Sequence, residues 1–347
     1  GMLTLERRIE AFSALGEILL DSASGNSQGR SEIFASLIDG LNTSNPWFTP
    51  DNVRMAIKSS GEMISNENLL KWLSHYPDID RPHTPARIGV VMAGNIPMVG
   101  FHDFLSVLIT GNFINGKLSS KDEPLMKAVA GTLIEIEPGL RESIDLTTDK
   151  ITDFKGVIAT GSDNTSRYFE YYFRNCPSVI RHNRNSIAVL DGAESDEELA
   201  LLGKDIFTYF GLGCRNVSKL FVPEGYDVNR FAGYWSNYDN LRLHHKYASN
   251  YDHNKAVFIV NRELFTDTGF VLLHNDRSLT PPMAVLNYEF YSSVDELKSQ
   301  IQSLSERIQC IAGHEYSAFG RAQYPNLWDY ADEVDTVGFL LKNFSLE

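Results

Sequence analysis

Cysteine is scarce in this chain: Cys176, Cys214 and Cys310 are three in 347 residues, too few and too widely spaced for a disulfide framework or a CxxC metal site. Any special cysteine here is therefore chemical rather than structural. Long apolar runs are missing as well. None reaches the roughly 18 residues that a membrane-spanning helix needs, and no basic segment followed by an apolar one opens the chain. The expectation is a cytoplasmic protein without a membrane span, and Gly1 ahead of Met2 reads as an expression remnant. Excess positive charge is also lacking: 31 Lys and Arg stand against 45 Asp and Glu, a formal net charge of −14. Nucleic acid needs clustered cations to displace counterions from its phosphates, so it is not expected as a partner. The GxGxxG fingerprint is absent after every candidate strand, and so is HExxH. His244, His245 and His253 lie close in sequence without ligand spacing and read as a solvated loop, so no metal is expected.

What is present is an ordinary globular composition, 43% hydrophobic and 22% charged, in a chain long enough for two cores. Residues 2 to 78 read as polar helices, with apolar residues at helical spacing over 5–20 and shorter helical segments around 31–38 and 67–73. The Pro-rich stretch 77–85 breaks this pattern and reads as a linker. Beyond it, strand-like runs at 87–93, 112–117 and 156–161 alternate with helical ones at 98–110, 122–136 and 166–173. A second alternating unit starts at 186–191, runs through a helix at 195–209 and a strand at 217–222, and continues less clearly over 226–300. Strands separated by helices of this length imply βαβ units and parallel sheets.

Cys214 lies in Gly-Leu-Gly-Cys at 211–214, between a helix and a strand, with Gly211 and Gly213 clearing its approach and Arg215 beside it. Partial exposure next to a positive charge lowers a thiol pKa, although an isolated cysteine is by default a small core hydrophobe. Cys176 and Cys310 have no glycine neighbours and keep that default. Asn95, in Ala-Gly-Asn-Ile-Pro at 93–97, follows an apolar strand, where its amide could hold a developing oxyanion. Such a segment is also common turn chemistry. Thr-Gly-Ser at 160–162 closes a strand before a helix, so its backbone amides could meet a phosphate. Lys117 ends a strand and could reach a ribose or phosphate.

In their order and spacing these pieces resemble the aldehyde dehydrogenase superfamily, and most closely its acyl-CoA reductase branch, which includes the fatty-acid reductase of bacterial luminescence. Asn-Ile-Pro at 95–97 is similar to the segment whose asparagine forms half of an oxyanion hole. Gly-Asn-Phe-Ile-Asn-Gly-Lys at 111–117 resembles the strand whose lysine meets the cofactor's adenosine ribose. Thr-Gly-Ser, with Gly161 and Ser162, resembles the turn beside the pyrophosphate. The run 211–219, a cysteine followed five residues later by a lysine, resembles the nucleophile segment, and Gly-Arg-Ala-Gln-Tyr-Pro-Asn-Leu at 320–327 is similar to the tail of the acyl-CoA reductases.

The resemblance implies an aldehyde-dehydrogenase-like α/β fold of two open Rossmann-like domains with a cleft between them. It divides the chain into a helical segment 1–80 packed on the cofactor domain, a cofactor-binding domain 81–182, a catalytic domain 183–325 and a tail 326–347. The activity implied is reduction of an acyl thioester, on CoA or acyl carrier protein, to an aldehyde through a thioester on Cys214. NADPH or NADH would be the cofactor, and a homodimer or homotetramer the assembly. Where hydrolytic members carry a glutamate that activates water, this chain has Arg-His-Asn-Arg-Asn-Ser at 181–186, with no carboxylate. The thioester then has to be resolved by a thiol or by hydride rather than by water. The superfamily's ribose-holding glutamate segment is replaced near Leu-Thr-Pro-Pro at 279–282. The rival readings are a cysteine acyltransferase or thioesterase without nicotinamide, and a silent subunit that binds acyl chains or a partner.

Overall fold

A computed structural model describes residues 2–345. Contacts divide the chain into two compact units, residues 1–183 with 325–347, and residues 184–324.

The first unit opens with four helices: α1 (Leu5–Ala23), α2 (Glu32–Gly40), α3 (Pro50–Met63) and α4 (Asn66–Leu73). Thr4, Thr49 and Ser65 cap α1, α3 and α4 by accepting a backbone N–H three residues on. The third of these helices did not stand out in the sequence. Helices α1 and α3 pack at paired glycines, where a Cβ on Gly61 would lie 3.0 Å from the Gly16 carbonyl oxygen. A parallel sheet follows: β1 (Arg87–Val91), β2 (Phe113–Lys117), β3 (Ile144–Thr147), β4 (Gly156–Thr160) and β5 (Ser178–Arg181), in the spatial order β3-β2-β1-β4-β5. Its crossovers are α5 (Phe101–Ile109), α6 (Glu123–Ile136) and α7 (Asp163–Tyr172). Strands β1 and β4 are apolar and buried through their middles, as a sheet covered on both faces requires.

The second unit carries β6 (Asn185–Val189), β7 (Val217–Pro223), β8 (Thr266–Asp267), β9 (Leu272–Asn275), β10 (Val285–Tyr291) and β11 (Ile308–Ala312). Their order is β11-β6-β7-β10-β9-β8, with every pairing parallel except β8 on β9. Helices α8 (Asp196–Phe207), α9 (Phe231–Tyr234), α10 (His245–Val260) and α11 (Val294–Ser303) complete it. The core of this unit gathers Leu199, Leu202, Leu220, Val222, Phe231 and Trp235. His244 does not lie in a bare loop: its ring accepts the Tyr247 N–H and caps α10. The last helix, α12 (Thr336–Phe344), belongs to the first unit and packs on α5. Among the described residues no helix is long and apolar enough to cross a membrane.

Candidate active site

In the first unit the chain runs from β1 outward through β2 to β3, then crosses back to β4 on the other side of β1 and on to β5, so the sheet's switch point lies between β1 and β4. Open parallel sheets bind ligands at the carboxyl ends of the strands around such a point. Val91 at the end of β1 pairs with Lys117 of β2 and with Ala159 of β4. Asn95, Lys117 and the turn with Gly161 and Ser162 thus follow three adjacent strand ends.

Asn95 is half-buried in a bend four residues past β1. At Gly94 a Cβ would overlap the Ser119 side chain, so the loop can lie against residues 119–122 only with glycine there. At Gly161 a Cβ would come within 2.8 Å of the Thr165 methyl, which presses the β4 end against α7. Ser162 caps that helix, accepting the Thr165 N–H at 3.3 Å. A dinucleotide fits these residues in position and in donor type. Lys117, half-buried, offers a cation to a ribose or phosphate, and the α7 N-terminus offers backbone N–H groups to a pyrophosphate. Asp163 in the first turn of α7 offsets part of that helix's pull on an anion.

In the second unit Cys214, which forms no disulfide, is half-buried at the second position of a turn in which the Asn216 N–H donates to the Gly213 carbonyl at 3.1 Å. The approach is strained. Tyr209, Phe210 and Gly211 are all left-handed, with φ of 58°, 57° and 75°, and each non-glycine residue there costs about 1–2 kcal/mol. Asn216, 2% exposed, offsets that strain. Its Oδ1 accepts the Gly213 N–H at 2.8 Å, while its Nδ2 reaches the carbonyls of Thr208 at 2.7 Å and of Asp205 and Ile206 at 3.3 Å. From the other side the Ser186 hydroxyl donates to the Cys214 carbonyl at 2.9 Å and accepts the Cys310 N–H at 3.1 Å. The Cys214 backbone is therefore held from β6, from α8 and from its own turn.

A family model described as acyl-CoA reductase (LuxC) matches residues 32–266, more than half of the chain. The chain belongs to the acyl-CoA reductase family. No curated relative matches it. Among solved structures it is similar to an oxidoreductase from Marinobacter aquaeolei, at 12% identity and a TM-score of 0.61, over 86% of this chain and 71% of that one. It is also similar to the Mycobacterium tuberculosis aldehyde dehydrogenase complexed with NAD+, at 13% identity and a TM-score of 0.59, over 92% and 79%. A Bacillus cereus aldehyde dehydrogenase matches at 13% identity and a TM-score of 0.59, over 86% and 69%. At such identities the likeness shows the fold, two sheets of the aldehyde dehydrogenase kind.

In this member of the acyl-CoA reductase family the stretch 181–186 has structural duties. Arg181 is buried against Asp103 and donates to Thr336 Oγ1 at 2.9 Å. His182 pairs with Glu170 at 3.1 Å, Arg184 donates to the Ile308 carbonyl at 3.2 Å, and Ser186 holds the Cys214 turn. None of the six residues is a carboxylate. In the segment 279–282, Leu279 is buried and its carbonyl takes the Ser218 hydroxyl at 2.6 Å. Lys219, five residues past Cys214, is fully buried and paired with Glu289 at 2.8 Å, and burial lowers its pKa. Its place is inside the sheet.

Four residues of this framework escaped the sequence reading: Ser186, Asp205, Asn216 and Asp122. The Asp205 carboxylate accepts the N–H groups of Gly320 at 2.8 Å and Ala322 at 3.1 Å, which ties the Gly-Arg-Ala-Gln segment to α8. Burial pushes its carboxyl up to about 6. A readable signal existed only for Asn216, as a turn-forming asparagine two residues past Cys214. Separately, Asp191, Glu194 and His314 bring ligand-type atoms within 4.8 Å of one another, the one such group among the described residues. The His314 ring is committed there, Nδ1 to Asp191 at 2.7 Å and Nε2 to Glu198 at 2.9 Å.

Proposed function

We propose that this chain reduces an acyl thioester, carried on CoA or acyl carrier protein, to the aldehyde by way of a thioester on Cys214. The observation that carries the reading is the seat of Cys214, a half-buried thiol on a turn held from three directions and reached through strained backbone. Strain of this kind is stored where a side chain must be presented in one pose.

The Cys214 thiolate attacks the thioester carbonyl, and the Asn95 amide with the Cys214 backbone N–H holds the oxyanion. Collapse breaks the bond to the outgoing thiol, which leaves as thiolate and takes a proton from solvent. Lys117 and the Gly161–Ser162 turn would hold a reduced nicotinamide, NADPH or NADH, which when bound would supply the hydride that the acyl carbon needs. The oxyanion that follows collapses to aldehyde and returns the electron pair to Cys214 sulfur. Residues 181–186 contain no carboxylate to activate water, which favours hydride over hydrolysis.

The test is to incubate the protein with octanoyl-CoA and NADPH, follow the reduced nicotinamide and trap the aldehyde. We expect NADPH oxidation matched by aldehyde and free CoA. Cys214→Ala should abolish it, Asn95→Ala should lower kcat about 10²-fold, and Lys117→Ala should raise the KM for NADPH while Cys214 stays reactive to alkylation. Normal turnover by Cys214→Ala would sink the reading. A second reading, acyl transfer without nicotinamide, is favoured by one observation: residues 279–282 supply no carboxylate for a ribose. It requires an acyl adduct on Cys214 with no NADPH consumption.

A further inference from the structure

Asp122 immediately precedes α6, where an aspartate would ordinarily turn its carboxylate onto the first helical N–H groups. Here it does not. Its backbone, at φ −125° and ψ 17°, lies off the extended conformation of a capping residue, Pro124 removes one N–H, and no cap hydrogen bond forms. The side chain instead reaches the neighbouring loop, where Oδ2 accepts the Met98 N–H at 2.8 Å. Asp122 is 3% exposed, and its Oδ1 is buried with no partner among the described residues. Burial pushes the carboxyl up to about 8. Forgoing a cap of about 1 kcal/mol and burying an orphan oxygen are costs that α6 alone does not explain.

Met98 does explain them. It is left-handed, φ 60°, and 5% exposed, three residues past Asn95 and directly after Pro97. A side-chain-bearing residue keeps that conformation only when its surroundings impose it. Its carbonyl accepts the Phe101 N–H at 3.0 Å, so Met98 turns the chain from the Asn95 bend into α5. Asp122 is itself fixed, since its N–H donates to the Ser119 carbonyl at 3.1 Å. Ser119 is also the residue against which Gly94 closes. The 94–98 loop is thus clamped at both ends, by Gly94 on Ser119 and by Met98 on Asp122.

We infer that Asp122 is the positioning residue for the Asn95 amide, holding the 95–98 turn through the Met98 N–H so that the oxyanion donor is set before substrate arrives. The inference rests on the oxyanion reading of Asn95. Preorganised donors of this kind are effective because they need no rearrangement during reaction.

The test compares Asp122→Leu, similar in shape without an acceptor, with Asp122→Asn, which keeps an oxygen for the Met98 N–H. Both are assayed with octanoyl-CoA and NADPH, and hydrogen exchange is read on peptides spanning Met98. Asp122→Leu should lower kcat about tenfold to a hundredfold, leave the KM for NADPH unmoved and speed exchange at Met98. Asp122→Asn should restore most of the turnover and the slow exchange. The double variant Asn95→Ala with Asp122→Leu should be no slower than Asn95→Ala alone, since one residue acts through the other. Should Asp122→Leu not fold, Asp122→Ala carries the same expectation. Wild-type kcat in Asp122→Leu, equal impairment of Leu and Asn, or additive losses would each overturn the inference while Asn95→Ala is impaired. Full turnover by Asn95→Ala would instead remove the oxyanion reading, and the positioning role with it.

Discussion

Asn216 shows how much of the Cys214 turn's setting lies outside the residues proposed to do chemistry. One buried amide meets the carbonyls of Asp205, Ile206 and Thr208 and the Gly213 N–H, and so closes the loop over which Tyr209 and Phe210 are left-handed. Cys214 stood out in the sequence as a candidate because glycines on both sides of Leu212 mark an open approach. Asn216 was readable only as a turn-forming asparagine, because three of its four partners lie eight to eleven residues back, and nothing local requires them. Removing the amide leaves buried carbonyls without a donor, at about 1–3 kcal/mol each. Asn216→Ala should therefore lower the melting temperature and also slow iodoacetamide alkylation of Cys214, read by mass spectrometry. A lower melting temperature with unchanged alkylation would make Asn216 a core residue that does not present the thiol.

Elements were legible where a period ran long enough. Strands β1, β2 and β4 and helices α5 and α6 follow from alternating apolar runs, whereas β3 and β5 are four-residue edge strands with too little pattern to read. Helix α3 carries a short apolar signal, Val53, Ala56 and Ile57 being buried at helical spacing, but part of its approach to α1 is made at Gly16 and Gly61, which carry none. Gly61→Ala places a methyl 3.0 Å from the Gly16 carbonyl oxygen and 2.9 Å from the Leu20 Cγ. We expect a loss of about 1–3 kcal/mol, checked by urea denaturation; unchanged stability would mean that the helices separate freely.

A second element-scale effect joins the turn after β11 to the N-terminus of α8. Hydrogen bonds to Glu198 and then Asp191 raise the His314 pKa to about 9, from an ordinary 6.5. A histidine raised on folding stabilises the fold in its charged form. That contribution is whole below the ordinary pKa and fades as pH climbs through about 9. The melting temperature should fall across that window, and His314→Gln should flatten the fall. An equal fall in the variant would assign the pH dependence elsewhere.

On the scale of the whole molecule, the return of the chain to its first unit was the least legible feature, because its anchors are single polar contacts far apart in sequence. Tyr330 accepts the Trp72 indole N–H at 2.8 Å and shares a 2.5 Å contact with the Tyr76 hydroxyl, which donates to Asp335 at 2.6 Å. His102 meets the Leu327 carbonyl at 2.8 Å, and Thr336 accepts from Arg181, whose partner Asp103 lies on α5. Val337 and Leu340 add apolar burial with no exposed surface. Ending the chain after Tyr324 removes all of these from the first unit and none from the second, whose strands β6, β7 and β10 pair only with one another and with β9 and β11. Local stability follows such contacts. The shortened chain should lose hydrogen-exchange protection in α4, α5 and β5 while β6, β7 and β10 stay protected. Equal loss in both units would mean that they unfold as one cooperative body.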